Sequence, residues 1–286
     1  MLKNISSNWA LNALQILVFM ALTRFTLDVL GQETFGIWEA VIAVAGPLQL
    51  MILGVPMATV RAISRALGRG DDREAQEALG QSLTLTLILA GGALAAGGLL
   101  WWGFEDRLLD SQRWALDSNA ILDTRTALAI VLINLAVGFC LRLPYAVFEA
   151  FHDFIPRNLI MGAGMLLRLG LTVGALTWDT SLRTLALVQA LVAVAEFSAA
   201  LVVLRKRHGS VRFRPAALSL GQAKKLLSFG VFAFLLNMGA LLAFKVDALV
   251  VANHMLPTDV AVYGMANKIF DPLINLLLAI GMVVMP

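Results

Sequence analysis

The chain has 286 residues, of which 59% are hydrophobic and 14% charged, and its formal net charge at pH 7 is +3. Long apolar stretches joined by short polar segments exclude a soluble globular domain and predict a polytopic membrane protein. The basic residues cluster in the segments that flank the apolar stretches, so their excess does not indicate nucleic-acid binding.

Eight apolar segments long enough to cross a bilayer as helices follow one another along the chain. They are 9–30, 36–62, 79–104, 125–150, 158–178, 184–205, 227–253 and 260–286. A transmembrane strand would instead show short segments of alternating hydrophobicity, so the predicted fold class is all-α. Pro47, Pro144 and Pro272 lie inside three of these spans and predict bends in them.

The basic residues between the spans predict the orientation of the chain. With the N-terminus in the cytoplasm, the outer joints contain Arg107, Arg113 and Arg183, and the cytoplasmic segments contain Lys3, Arg65, Arg69, Arg73, Arg157, Arg205, Lys206, Arg207, Arg212, Arg214, Lys224 and Lys225. Short cytoplasmic loops carry the excess of Lys and Arg. We therefore expect a multi-pass protein of the cytoplasmic membrane with its N-terminus inside.

Two segments of the chain resemble each other and indicate an internal repeat. The segment from Leu30 to Pro47 follows the first span, and the segment from Leu256 to Pro272 follows the seventh. Each contains an aromatic residue followed by glycine, Phe35-Gly36 in one and Tyr263-Gly264 in the other. Because both segments have the same predicted orientation, they indicate parallel repeats, an arrangement found in secondary transporters.

The repeat predicts a division of the chain into lobes. Residues 1–207 form a first six-helix lobe, 208–225 a basic cytoplasmic linker, and 226–286 the first two helices of a second lobe. Because the sequence ends in apolar residues at Pro286, we expect the second lobe to continue in a longer protein. Residues 218–227 fit a short amphipathic helix on the anionic leaflet as well as they fit a plain linker.

Several short motifs lie in the repeated segments and near them. Leu30-Gly31-x-Glu33-x-Phe35-Gly36 is followed by Gly54, by Arg61-x-x-x-Arg65 and by Gly68-x-Gly70-Asp71, and Asp247-x-Leu249-x-Val251 precedes Val262-Tyr263-Gly264-x-Ala266. Together these motifs resemble polysaccharide or oligosaccharide flippases of the multidrug/oligosaccharidyl-lipid/polysaccharide exporter superfamily. One departure is Asp28, which stands where many such proteins have a basic residue, and the nearest arginine is Arg24.

The resemblance implies a MATE-like fold with two helical lobes around a central cavity. It also implies that the complete protein moves a lipid-linked oligosaccharide, a polyprenyl-pyrophosphate glycan, across the cytoplasmic membrane for cell-surface polysaccharide synthesis. The expected partners are this glycolipid, membrane lipids, a coupling H⁺ or Na⁺, and polysaccharide-assembly proteins.

Polar residues at helical spacing line one face of two spans that the repeat relates to each other. They are Asn12 and Gln15 in the first span and Asn267, Asp271 and Asn275 in the eighth. The repeat predicts that the two polar faces meet across the pseudo-twofold axis and line a cavity. The alternative is a seam of interhelical hydrogen bonds, each contributing about 0.6 kcal/mol.

Charged residues inside the spans are the other candidates for a site. Arg168 lies at the middle of the apolar run Leu159 to Trp178, where a charge facing lipid costs at least ~2.5 kcal/mol. We therefore expect Arg168 to face protein or a water-filled cavity, with Glu196 of the next span as its partner. Glu39 and Arg142 lie nearer to span ends, where long side chains also reach the membrane interface.

These residues divide into two expected roles under an alternating-access mechanism. Arg24, Arg168, Lys245 and Lys268 are candidates for contact with an anionic pyrophosphate, because guanidinium and ammonium groups bind phosphate oxygens. Asp247, Asp271 and Glu196 are candidates for binding the coupling ion or proton, because a carboxylate in a low dielectric binds protons more tightly.

Two other functions remain open at this stage. One is the export of small cationic molecules by the same fold, which favours acidic and aromatic residues in the cavity. The other is a membrane enzyme that polymerises or ligates glycans, but the longest outer joint, 105–122, contains no histidine. We expect no catalytic residue, cofactor or metal site, since His152, His208 and His254 are dispersed along the chain.

Overall fold

The computed structural model describes residues 2–52, 54–107, 114, 117–209, 211–244, 246–268 and 270. Three predicted site residues, Lys245, Asp271 and Asn275, lie outside the described residues, as does Pro272. Within the described ranges all regular secondary structure is helical, which confirms the all-α class.

The helices follow the predicted spans closely. They are α1 Leu2–Ala45, the 3-10 helix Gly46–Ile52, α2 Val55–Gly68, α3 Asp72–Arg107, α4 Ser118–Leu141, α5 Leu143–Ala150, α6 Phe154–Leu176, α7 Leu182–Arg207, α8 Leu220–Phe244 and α9 Val246–His254. A further helix, α10, includes residues 257–268. Five helical stretches of the described chain are long and apolar enough to cross a membrane, and the first of them, Trp9–Gly68, has 60 residues.

The α1 helix folds back on itself at Gly31, so it contains two spans. Gly31 has φ 77° and ψ 163°, which is not helical and which glycine adopts at little cost. The rings of Phe19 and Phe35 lie 5.8 and 4.4 Å from the same ammonium nitrogen of Lys268. In a straight helix these residues would be about 24 Å apart. We call residues 2–30 the first arm of α1 and 32–45 the second arm.

Two of the predicted bends are confirmed. The helix of the second arm gives way to the 3-10 helix Gly46–Ile52 at Pro47, and α2 begins only after Gly54, whose φ is 70°. The fourth span is divided into α4 and α5 at Arg142, two residues before Pro144. Proline removes a backbone donor and clashes with the preceding turn, which accounts for both breaks.

The outer surface of the bundle is apolar in a way that fits a lipid environment. Inside, α1 packs against α6, and α4 packs against α3 and α7, with Trp38, Leu128 and Leu176 in the buried core. Outside, Leu99 and Trp102 are more than 70% exposed. A soluble monomer rarely exposes so much apolar surface, so the chain is a multi-pass membrane protein.

The described part of the predicted linker lies along α3. The Gln76 amide bonds to both backbone groups of Arg212, and the Thr84 hydroxyl donates to the Ala216 carbonyl at 2.7 Å. Ser219 and Gln222 form a reciprocal capping box in which each side chain accepts from the other's backbone N–H, at 3.2 and 2.8 Å. The cap starts α8 at Leu220, so the last residues of the predicted linker 208–225 are helical.

Candidate functional site

A cavity of about 760 Å³ with both polar and apolar walls lies among residues of the predicted first lobe. It lies among the second arm of α1, the 3-10 helix, α2 and the helices α4 to α7. Its polar wall consists of Gln49, Asn134, Arg142, Tyr145, Glu149, Arg157, Gln189 and Glu196. All of these residues precede 208, so this cavity lies within the predicted first lobe, and the cavity expected between two lobes stays a prediction.

Arg142 is the cavity cation without a compensating charge. It occupies the break between α4 and α5, where the helix is interrupted and its side chain is exposed in the cavity. Among the described residues no carboxylate lies within ion-pair distance of its guanidinium. An unpaired arginine at membrane depth is costly, so it marks a place where water or an anion is accommodated.

A second arginine of the cavity is paired. The Nη2 atom of Arg157, at the start of α6, lies 3.1 Å from Oε1 of Glu149, near the end of α5. Both side chains are largely shielded, with exposed fractions of 23% and 36%. The Arg157 Nη1 atom also donates to Oδ1 of Asn158 at 3.1 Å. This pair cancels one positive and one negative charge at the α5–α6 side of the cavity.

Glu196 on α7 lies between three partners. The Tyr145 hydroxyl donates to its Oε2 atom at 3.0 Å, and Arg168 of α6 interacts with it electrostatically. Its carboxylate lies directly over the backbone of Gly164 on α6. Gly164 is one turn before Arg168, so Glu196 lies near the partner that the sequence suggested, without an ion pair between them in the described chain.

Gly164→Ala is expected to displace the Glu196 carboxylate, since an added methyl group would overlap it. Overpacking of this kind costs about 1 to 3 kcal/mol, and thermal unfolding in detergent measures it. The penalty is expected to disappear in the double variant Gly164→Ala/Glu196→Ala, because neighbouring substitutions are not additive. Gly170→Ala is the control, as no atom lies within 4 Å of an added methyl there. Equal stability of Gly164→Ala and Gly170→Ala would contradict the contact.

The other described candidates lie elsewhere. Arg24 forms an exposed pair with Asp28 one turn later, 3.9 Å from Nε to Oδ2. Asp247 is exposed in the first turn of α9. Neither residue lines the cavity, and of all the predicted substrate-binding and coupling residues that the structure describes, Glu196 is the one that does.

The polar faces of the first and eighth spans are only partly described. Asn12 and Gln15 are exposed on the first arm of α1, and Asn267 is half-buried on α10. Lys268, next to Asn267, forms an ion pair with Glu39 of the second arm. The contact brings the eighth span against the second, and the Phe19 ring of the first lies 5.8 Å from the same ammonium. The meeting of the two polar faces and their shared cavity stay predictions.

The sequence pattern did not single out most of the cavity wall. The sequence offered the membrane interface as one position for Arg142 and Glu39. In the structure Arg142 lines the cavity and Glu39 pairs with Lys268. Tyr145, Glu149 and Arg157 carried no signal of their own. The available signal was Pro144, because a helix broken beside an intramembrane arginine frees backbone groups that must be satisfied by protein or by water.

The long apolar helices and the fold-back at Gly31 define a polytopic membrane protein with an internal cavity. The chain belongs to the polysaccharide biosynthesis protein family, whose profile matches residues 1–286. This match confirms the family resemblance of the sequence motifs. No curated protein sequence matches the chain.

Solved structures of the MOP superfamily share the fold. An inward-facing multidrug resistance MATE family transporter has a TM-score of 0.63 at 18% identity, covering 87% of this chain and 59% of that one. A MOP superfamily transporter from Pyrococcus furiosus, described as having a binding pocket of reverse polarity, has a TM-score of 0.57 at 16% identity, covering 92% and 62%. A variant of the Vibrio cholerae MATE transporter VcmN has a TM-score of 0.63 at 17% identity, covering 93% of this chain and 60% of that one. The chain thus spans about three fifths of the length of these transporters.

Proposed function

We propose that this chain is part of a flippase that moves a lipid-linked oligosaccharide from the inner to the outer leaflet of the cytoplasmic membrane. The process is alternating access between two lobes, with residues 1–207 as the first lobe, 208–225 as the linker and 226–286 as the start of the second. The N-terminus is cytoplasmic. Family membership over residues 1–286 supports this proposal, and no covalent chemistry or cofactor is part of it.

The observation that carries the proposal is the uncompensated charge of Arg142 in the cavity. Of the four charged residues in the wall, Glu149 and Arg157 neutralise each other at 3.1 Å. Glu196 faces the charge of Arg168. What is left is one guanidinium exposed in a cavity of about 760 Å³. Such a cavity favours an anionic group, and a guanidinium binds two phosphate oxygens at once.

The remaining candidates fit a path for the same anion. Arg168, Lys245 and Lys268 are proposed as further cations along it, and Arg24 as a contact near the Gly31 turn. Asn12, Gln15, Asn267 and Asn275 are proposed to hydrogen-bond the cargo. Glu196, with Asp247 and Asp271, is proposed to bind the coupling proton or Na⁺, because Glu196 lies beside both the cavity and Arg168.

A second candidate function is the export of small cationic molecules. It is favoured by the two carboxylates and two aromatic side chains of the cavity, Glu149, Glu196, Tyr145 and Phe197, and by the likeness of the fold to multidrug MATE transporters. Both carboxylates already have cationic neighbours, whereas no carboxylate of the described chain forms an ion pair with Arg142. The charge balance therefore favours the anionic cargo.

The proposal is tested with the complete protein in proteoliposomes. A fluorescent lipid-linked oligosaccharide and a cationic dye are offered in parallel, and wild type is compared with Arg168→Ala. We expect translocation of the glycolipid by wild type, a reduced rate in the variant, and no transport of the dye. Transport of the dye without the glycolipid would establish the export function instead. An unchanged glycolipid rate in Arg168→Ala would remove Arg168 from the site.

A further inference from the structure

The two repeated segments are in close contact at the end of the bundle where the arms of α1 join, which we call the Gly31 end. Gln32 of the second arm donates from Nε2 to the backbone oxygen of Thr258 on α10, at 3.2 Å. The backbone of Gly36 lies so close to Pro257 that an added Cβ would overlap the proline carbonyl. Two helices from different lobes therefore touch through backbone, without intervening side chains, at this end.

An ion pair between the lobes lies deeper along the same contact. Nζ of Lys268 on α10 binds Oε1 of Glu39 on the second arm, and their side chains are only 18% and 15% exposed. The aliphatic part of Glu39 packs on Gly264, where an added Cβ would lie 2.7 Å from its Cγ. The rings of Phe35 and Phe19 flank the ammonium, with centroids at 4.4 and 5.8 Å. Two opposite charges from two lobes are thus enclosed between two rings.

The ion pair separates the polar face of the first arm from the Gly31 end. Gln15 is one turn before Phe19 and Asn12 is two turns before it, so all three lie on one face of the helix. Both polar side chains are exposed, while Phe19 contacts Lys268. A cargo that moves along this face toward the Gly31 end therefore meets the Glu39–Lys268 pair.

We propose that the Glu39–Lys268 pair, seated between Phe19 and Phe35, closes the outer end of the pathway, and that the anionic phosphate group of the cargo opens it by taking Lys268 from Glu39. The inference rests on the alternating-access part of the proposed function. It gives Lys268 two successive partners, the carboxylate when the Gly31 end is shut and the phosphate when it opens.

The exchange is favourable because the ammonium never loses an anionic partner. Separating a shielded ion pair leaves an uncompensated charge in a medium of low dielectric, which holds the closed state together. A phosphate oxygen satisfies the same three N–H donors of lysine. Once the phosphate is bound, two anions face each other across the pair, and their repulsion drives Glu39 and its helix away from α10. Opening is therefore coupled to the presence of cargo.

Electron paramagnetic resonance on the complete protein in nanodiscs tests both halves of the proposal. Spin labels are attached at Trp178→Cys and Met255→Cys, two exposed positions, in a Cys140→Ser background, and inorganic pyrophosphate is the probe. We expect a single short distance without pyrophosphate and a longer population that grows with its concentration. Glu39→Gln is expected to show the longer population without pyrophosphate. Lys268→Gln is expected to show the longer distance without pyrophosphate. Any further response is expected to need a pyrophosphate concentration at least about tenfold higher than in wild type.

Matched variants keep the result interpretable. The reversed pair Glu39→Lys/Lys268→Glu is expected to restore the short distance, and Asp28→Asn, which breaks the exposed Arg24–Asp28 pair on the same helix, to leave it unchanged. Chloride at equal ionic strength controls for screening. Identical label distances in wild type and Glu39→Gln would overturn the closure. A wild-type label distance that does not change with pyrophosphate would overturn the exchange. The labels report distance and not transport. The closure and the partner exchange are therefore tested separately from glycolipid translocation.

Discussion

Replacing Arg142 with alanine is expected to slow translocation of the lipid-linked oligosaccharide by about 10- to 100-fold, the range for losing one charge-assisted hydrogen-bonded contact. The residue supplies the one uncompensated cation of the cavity wall in the described chain. Arg142→Lys is expected to retain an intermediate rate, because lysine keeps the charge but cannot bind two phosphate oxygens with one planar group. Initial rates in proteoliposomes of equal protein content measure both effects.

The stability of the Arg142 variants separates a binding role from a structural one. An unpaired charge at membrane depth is unfavourable, so Arg142→Ala is expected to keep or raise the Tm while transport falls. Arg205→Ala, which removes an exposed charge from the last turn of α7, is the control for a general loss of positive charge. Wild-type transport by Arg142→Ala would contradict the assignment, and so would a loss of transport that follows a loss of folded protein.

The helices of this fold were predictable because each carries its own signal. A run of about twenty apolar residues has few alternatives to a membrane helix, and the proline breaks at Pro47 and Pro144 follow from the missing backbone donor. Gly31 is different. The sequence places it in a polar joint, but only the positive φ of the structure explains why this position holds glycine and how α1 reverses direction.

The candidate site was less predictable, because a cavity is a property of several helices together. Arg168 and Glu196 were paired from their depth in neighbouring spans, and the structure places the Glu196 carboxylate over Gly164, one turn before Arg168. The sequence placed Arg142 nearer to a span end, where a long side chain also reaches the membrane interface. Its exposure in a cavity depends on how the helices α4 to α7 pack around it, which the periodicity of a single sequence does not report.

The partner of Lys268 shows the same limit for contacts between distant segments. In the sequence Asp271 is three residues from Lys268, a spacing at which a local pair is possible in a helix. In the structure Lys268 binds Glu39, 229 residues earlier in the chain. The repeat indicated that the first and eighth spans face each other, but a repeat of loose motifs does not fix which side chains meet, and Glu39 belongs to the second span.

Gly36→Ala is expected to produce the largest loss of stability among conservative substitutions in the described chain, because it forces two backbones apart. The added methyl group would overlap the carbonyl of Pro257, and a backbone atom does not move aside as the end of a side chain does. Overpacking alone costs about 1 to 3 kcal/mol, and separating the helices also strains the shielded Glu39–Lys268 pair. The Tm in detergent is expected to fall accordingly.

Gly98→Ala is the matched control for Gly36→Ala. Gly98 is also helical, on α3, and no atom lies within 4 Å of a methyl group added there, so the substitution is expected to be neutral or to stabilise the helix by up to about 1 kcal/mol. Spin labels at the Gly31 end are expected to move apart in Gly36→Ala and to stay in place in Gly98→Ala. If both variants unfold at the wild-type temperature with unchanged distances, the helices do not meet at Gly36, and the closure built on that contact fails with it.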